Sequence, residues 1–200
     1  PELIQSQRSD LNLVVSTTMN NIWNNAKDII YYGIDTNEYQ SSQKEDFILS
    51  VGDLQQQNIS YLSQIHKPNM QIKLINYRQG ITISRNDLIN SYKQARIYLN
   101  INNNNHIPIQ MLEAMAAGCA VVSLNTPALQ DILIHEDNVL LASNPLEFTN
   151  HINTLLSDKN LCVRLGNKAQ SIIKDRFTLD VFIEKWNKNL NIVCNTTFVR

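Results

Sequence analysis

The sequence predicts an α/β fold, a Rossmann-like parallel sheet flanked by helices. Compact apolar runs recur along the chain, and stretches with helical spacing separate most of them. Strands alternating with helices in this way indicate parallel pairing through crossover helices. A hydrophobic content of 43% over 200 residues is enough for one well-buried core, or for one core with a small appendage. In such a sheet the ligand crevice lies beyond the carboxyl ends of the strands.

The elements follow in order. Residues 11–16 read as a short strand and residues 19–25 as a helix, with a connection over 28–35. Residues 40–45 are polar and poor in apolar side chains, which marks a loop. Phe47–Gly52 is a compact apolar strand that should open the main sheet. Residues 54–65 have helical spacing, 72–77 and 81–84 read as strands, 87–94 as a helix and 97–101 as the fourth strand. Residues 120–124 and 139–141 add a fifth and a short sixth strand, and helices over 146–156 and 161–175 should close the domain. A last amphipathic helix over 179–190 carries Val181, Phe182, Trp186 and Leu190; its apolar face either packs on the domain's own core, the favoured reading, or is left exposed for an amino-terminal domain. Gly52, residues 102–107 and residues 125–128 all fall at carboxyl ends of strands, where the crevice is expected.

Residues 105–122 are the most informative stretch: a polar loop, a short helix opening at proline, a glycine stop and an apolar strand. Pro108 suits a first helical position, because its missing N–H would be unpaired there and its φ is already helical. The helix should therefore start near Ile107. Ile109, Met111, Leu112, Met115 and Ala116 share one face, Glu113 is left on the other, and Gly118 is placed to close the helix in the left-handed region. A helix beginning just past a strand presents free N–H groups and the positive end of its dipole, a ready site for phosphate.

This stretch resembles the donor-binding signature of family 4 of the retaining GT-B glycosyltransferases. That signature is a Glu, seven intervening residues, a second Glu, a small-residue run ending in Gly, and a Val-rich strand. Glu113 stands at the second Glu, and Asn105 stands where the first belongs. Residues 95–102 line up with the strand that delivers the loop. Asp131–Leu141 is similar to the family's "Glu-Ile-Val…Asn-Gly-Leu-Leu" segment, and Asp28–Asp35 to its interdomain "Pro-Asn-Gly-Val-Asp". Together the matched segments cover most of residues 45–190.

The resemblance implies the carboxyl-terminal half of a GT-B enzyme. Residues 1–38 would be the tail of the amino-terminal domain and the linker, and residues 39–200 the nucleotide-sugar-binding domain with its terminal helices. The implied activity is retaining transfer of a sugar from a nucleoside-diphosphate donor to an acceptor hydroxyl. Glu113 would accept the ribose hydroxyls, since a carboxylate takes two vicinal hydroxyls at once. The diphosphate would lie at the helix start, among Gly52, His106, Ile107 and Ile109. Asp131 matches a third acidic position, and Asn105, at the catalytic place, would hold a donor-sugar hydroxyl.

Besides Asn105, three positions depart from the pattern. Active members carry an Arg and a Lys in the loop after the first strand, where this chain has Asp53 and Asn58, and a Gly where it has His106. Losing those cations removes charge stabilisation from a departing diphosphate. Arg85 and Lys93 are other candidate cations, and a protonated His106 could supply part of the charge. The alternative reading is a non-catalytic GT-B-like scaffold or partner domain with a degenerate site. A third is a GT-B epimerase acting on a nucleotide sugar. The chain has no Asp-x-Asp pair, so no metal is expected, and no cofactor beyond the donor itself.

Composition narrows the field further. A net charge of -1 and a pI near 6.5 argue against a nucleic-acid surface. No apolar run is long enough to span a bilayer and no signal-peptide pattern opens the chain, so a cytoplasmic location is expected. The chain begins at Pro1 and is about half the length of a two-domain enzyme, so the expected partner is a missing amino-terminal acceptor domain. Cys119, Cys162 and Cys194 are widely spaced and odd in number, which speaks against disulfides or a metal site.

Overall fold

Residues 12–23, 26–40, 43–52, 62, 71–77, 83–101, 106–130 and 132–197 are described by a computed structural model of the chain. The sequence-predicted helix over 54–65 lies outside these residues except for Leu62.

The described strands form two parallel sheets. In the smaller, β1 (Leu13–Val14) pairs with β2 (Asp28–Ile29), and α1 (Thr17–Trp23) connects them. The larger contains β3 (Glu45–Gly52), β4 (Gln71–Asn76), β5 (Ala95–Asn100), β6 (Ala120–Leu124) and β7 (Leu140–Ala142). Its spatial order is β4-β3-β5-β6-β7, parallel throughout. The register aligns Ile48 with Ile72 and Ile97, Ile97 with Ala120, and Val122 with Leu140.

The inner strands β3, β5 and β6 are largely apolar and buried because both faces of the sheet are covered there, whereas the edge strand β4 is only partly buried. Phe47, Leu49 and Val51 of β3, Tyr98 of β5 and Val121 of β6 point into one core. It is shared with α2 (Arg85–Gln94), α3 (Ile109–Ala116) and the later turns of α5 (Lys159–Arg176). Ile48, Ile97, Leu99 and Val122 point the opposite way, onto α4 (Pro145–Ser157) and the first turns of α5. The period-two alternation of side chains thus sorts one strand's residues into two cores.

Local chemistry sets the helix ends. Ser84 accepts the backbone N–H of Asp87 at 3.1 Å and caps α2. This corrects the expected strand over 81–84: residues 81–82 lie outside the described residues, and Ile83 and Ser84 are not in a strand because the cap starts a helix instead. Asn144 and Asp158 cap α4 and α5 in the same way. Gly118 closes α3 at φ 73, as its position after the small-residue run predicts. The strand expected over 139–141 sits one residue later.

The last helix, α6 (Leu179–Thr197), departs from expectation. Phe182 and Trp186 belong to neither core. Phe182 instead lies on Gly33, where an added Cβ would sit 2.7 Å from the Phe182 Cβ. Lys185 donates to the Ile29 carbonyl at 2.9 Å, and Asn189 to Asp28 Oδ2 at 3.0 Å. Ile34 and Thr178 form a bridge just before the helix, with Ile34 N–H donating to Phe177 O at 2.7 Å. These contacts hold α6 on residues 28–34 and leave Leu179, Ile183, Trp186 and Leu190 exposed. Among the described residues, no helix is long and apolar enough to cross a membrane.

Candidate functional site

The sheet order reverses between β3 and β5: from β3 the chain moves outward to β4, then returns to β5 and proceeds the other way. Such a switch point opens a crevice beyond the carboxyl ends of the two strands. Gly52 ends β3 there at φ 139, a backbone region that a side chain strongly disfavours. β5 ends at Asn100, whose side chain donates to Ser123 Oγ at 2.8 Å and ties β5 to β6.

On the far side of the crevice α3 begins. Pro108 is its N-cap in extended conformation (ψ 126), so the helix starts at Ile109 rather than near Ile107. Met111 and Leu112 both donate to the Pro108 carbonyl. Among the described residues, no acceptor meets the N–H groups of Ile109 and Gln110. No side chain caps this end. The helix therefore presents unpaired donors and its positive dipole end at the switch point.

Glu113, one turn further along, is buried (5% exposed) rather than left on a solvent face. α3 packs against α2, α5, β5 and β6, so both its faces are covered. Burying a carboxylate requires partners. Tyr39 OH donates to Glu113 Oε1 at 2.9 Å, and Arg85 Nη1 donates to the same oxygen at 2.5 Å. Arg85 Nη2 also donates to Tyr39 OH at 2.6 Å and to Glu38 Oε2 at 3.1 Å. One guanidinium thus joins the residues before β3 to the carboxylate on α3.

Tyrosines crowd this carboxylate. Burial, then the Glu113 charge, raises the Tyr39 hydroxyl well above the ordinary phenol range. Burial first also raises Tyr77, Tyr92 and Tyr98, with Glu113 contributing to each. The Tyr92 hydroxyl is buried with no hydrogen-bond partner among the described residues. Partial burial disfavours the Arg85 charge, but the hydrogen bond and charge of Glu113 outweigh it and hold the guanidinium more firmly protonated. The site is a carboxylate and a cation locked together under a phenolic wall.

Of the sequence-predicted site residues, the fold places Gly52, His106, Ile107, Ile109 and Glu113 around the crevice. His106 is exposed, Ile107 is buried, and Ile109 projects into solvent instead of joining the apolar face of α3. Asp53, Asn58, Asn105 and Asp131 lie outside the described residues. Arg85 opens α2 at the crevice, whereas Lys93 lies eight residues along the same helix, about 12 Å away at 1.5 Å per residue. Lys93 lines a surface hollow with Lys73 and Asp87. Tyr39 was not legible as a site residue, because nothing near it in sequence points to a partner 74 residues away. Among the described residues, no group of three or more His, Cys, Asp or Glu side chains could hold a metal.

The parallel sheet, its switch point and the helix start define the Rossmann-like fold of GT-B glycosyltransferases. Residues 40–172 match the family "Glycosyl transferases group 1", and the chain belongs to it. A curated relative, GDP-Man:Man(3)GlcNAc(2)-PP-Dol alpha-1,2-mannosyltransferase of Dictyostelium discoideum, is 30% identical over 116 residues, 58% of this chain and 23% of that protein. The chain therefore spans about a quarter of that relative's length. Sucrose-phosphate synthase of Thermosynechococcus elongatus shares the fold at a TM-score of 0.82 and 16% identity, over 98% of this chain and 61% of that one. Anabaena HepE, solved in complex with UDP-glucose, shares it at 0.77 and 18%, over 92% of this chain and 64% of that one.

Proposed function

We propose that this chain is the donor-binding half of a retaining, family 4-type GT-B hexosyltransferase, working with an amino-terminal acceptor domain that precedes residues 39–200. The observation that carries the reading is the buried Glu113 carboxylate, one turn inside a helix whose free N–H groups face the switch-point crevice. In this reading the ribose hydroxyls donate to Glu113, and the diphosphate lies on the N–H groups of Ile109 and Gln110. Gly52, whose positive φ disfavours a side chain, borders the phosphates opposite Ile107 and His106. Asn105 holds a hydroxyl of the donor sugar, and Asp131 takes the role of the family's third acidic position. Asp53 and Asn58 supply no positive charge to the leaving diphosphate, and Arg85 is already paired with Glu113 and Glu38, so the helix start carries that stabilisation. The UDP-glucose bound by the structurally similar HepE supports a nucleotide-sugar ligand for this fold.

Calorimetric titration with UDP, GDP and ADP, on the wild-type chain and on Glu113→Ala, tests this. One diphosphate should bind in the millimolar range or tighter, and the variant should bind at least about tenfold more weakly, the loss of roughly one charged hydrogen bond. Absence of binding by all three, with circular dichroism showing a folded chain, would favour a non-catalytic GT-B-like partner domain.

A further inference from the structure

A second site stands at the opposite end of the sheet. A half-open cavity of about 300 Å³ lies between the starts of β3 and β5, the turn from α3 to β6, and the first turns of α5. Lys44, Arg96, Lys159, Asn167 and Gln170 supply its polar lining, together with the carboxylate of Asp46. β5 separates it from the crevice by its six residues, roughly 20 Å at 3.3 Å per residue. It is a place of its own.

Arg96 is the informative residue. Its side chain is 8% exposed, yet among the described residues its guanidinium makes one hydrogen bond, from Nη1 to Asp46 Oδ1 at 2.7 Å. Its Nε–H is buried without any acceptor. A guanidinium has five N–H donors in a rigid fork suited to oxyanions, and leaving buried donors unmet is costly. Asp46 is also shared, since its Oδ2 accepts from Lys159 Nζ at 3.0 Å. Among the described residues, Lys44 Nζ reaches neutral acceptors alone, the Tyr92 carbonyl at 3.2 Å and Cys119 Sγ at 3.6 Å. Asp158 is the other carboxylate near this wall, and its side chain is used in capping α5. Three cations against these two carboxylates leave a net positive charge over a buried, under-used arginine.

We propose that this cavity is a binding site for a small phosphate-type anion, either inorganic phosphate or a phosphate monoester. Arg96 presents its fork from the floor, and Lys44 and Lys159 close on the anion from the rim. The Asn167 and Gln170 amides serve the remaining oxygens or the ester group. A site so far from the nucleotide crevice offers a place where a phosphorylated metabolite is sensed without competing with the donor. It stands whether or not the crevice binds nucleotide.

Nuclear magnetic resonance titration with inorganic phosphate and with glycerol phosphate, against chloride at matched ionic strength, tests it. Saturable shifts of the Arg96 Nε–H, the Gly118 amide and the Gln170 side chain are expected. Tighter binding of the ester would identify a metabolite site, and equal or tighter binding of phosphate an inorganic-anion site. The Lys44→Gln/Lys159→Gln double variant, altered only at the rim, should bind about tenfold more weakly. Arg96→Lys, which keeps the charge and loses the fork, should weaken binding as well. The proposal is overturned if no saturable shift appears by tens of millimolar phosphate, if the double variant binds as wild type, or if the shifts fall on Ile109 and Gln110 instead.

Discussion

Removing Arg85 from the Glu113 carboxylate measures how firmly the candidate site is pre-assembled. The bond from Nη1 to Oε1 joins a buried carboxylate to a guanidinium whose side chain is 51% exposed. A hydrogen bond to a charged group contributes about 1.5–3 kcal/mol, while exposed ion pairs contribute about 0–1 kcal/mol. Half exposure of one partner places this pair between the two, at about 1–2 kcal/mol. Arg85→Met keeps most of the aliphatic stem, and Glu113→Gln keeps the shape and an acceptor for Tyr39. A double-mutant cycle in urea with these two substitutions should therefore give a coupling of about 1–2 kcal/mol, and Arg85→Met alone should lower Tm by about 2–8 °C for a chain of this size. A coupling below about 0.3 kcal/mol would show that water satisfies Glu113 as well as Arg85 does, and the locked-pair reading would be refuted.

Gly118→Ala forces a side chain into φ 73, and its Cβ would meet only Gln170 Nε2 at 3.9 Å. The cost is thus backbone strain alone, about 1–2 kcal/mol by urea denaturation. Asp28 is partly desolvated, which raises its pKa, but the hydrogen bond from Asn189 and nearby lysines outweigh this and lower it overall. Its stabilising effect is present above the unfolded carboxyl value of about 3.9 and is lost as pH falls through the lower folded value. Trp186 fluorescence in a Trp23→Phe background should report α6 loosening below about pH 4, with the transition weakened in Asp28→Asn. Burial raises the Cys119 thiol and pushes Cys162 up to about 11, whereas Cys194 is exposed. A thiol reagent at mildly alkaline pH should therefore modify Cys194 first, with the other two reacting only on unfolding.

The architecture was legible because the inner strands of the main sheet are buried on both faces, so their sequences read as largely apolar runs. Gly118 was legible for a similar local reason, since one residue type meets one backbone need. Of the strand expected over 81–84, the described residues Ile83 and Ser84 are not in a strand, because Ser84 caps α2 on the Asp87 N–H instead. Glu113 was found by its spacing, but its burial was not, because helical periodicity reports one buried face and α3 has two. Arg85 and Tyr39 reach it from 28 and 74 residues away, and pairing at that range leaves no local signal. Phe182 reads as core by its composition, yet the surface it covers is Gly33 in the segment before β3.

The contact between Tyr39 and Glu113 bears on how this domain can be divided. The family match begins at residue 40, one position after the hydroxyl that donates to the site carboxylate, and ends at 172, before Phe177 ties the chain to Ile34. A protein trimmed to those limits would keep the sheet and Glu113 but lose Glu38 and Tyr39. Arg85 would then keep a single anchor. The sequence boundary of the family and the mechanical boundary of the site do not coincide, and Glu38 and Tyr39, just ahead of the match, are part of the pocket's frame.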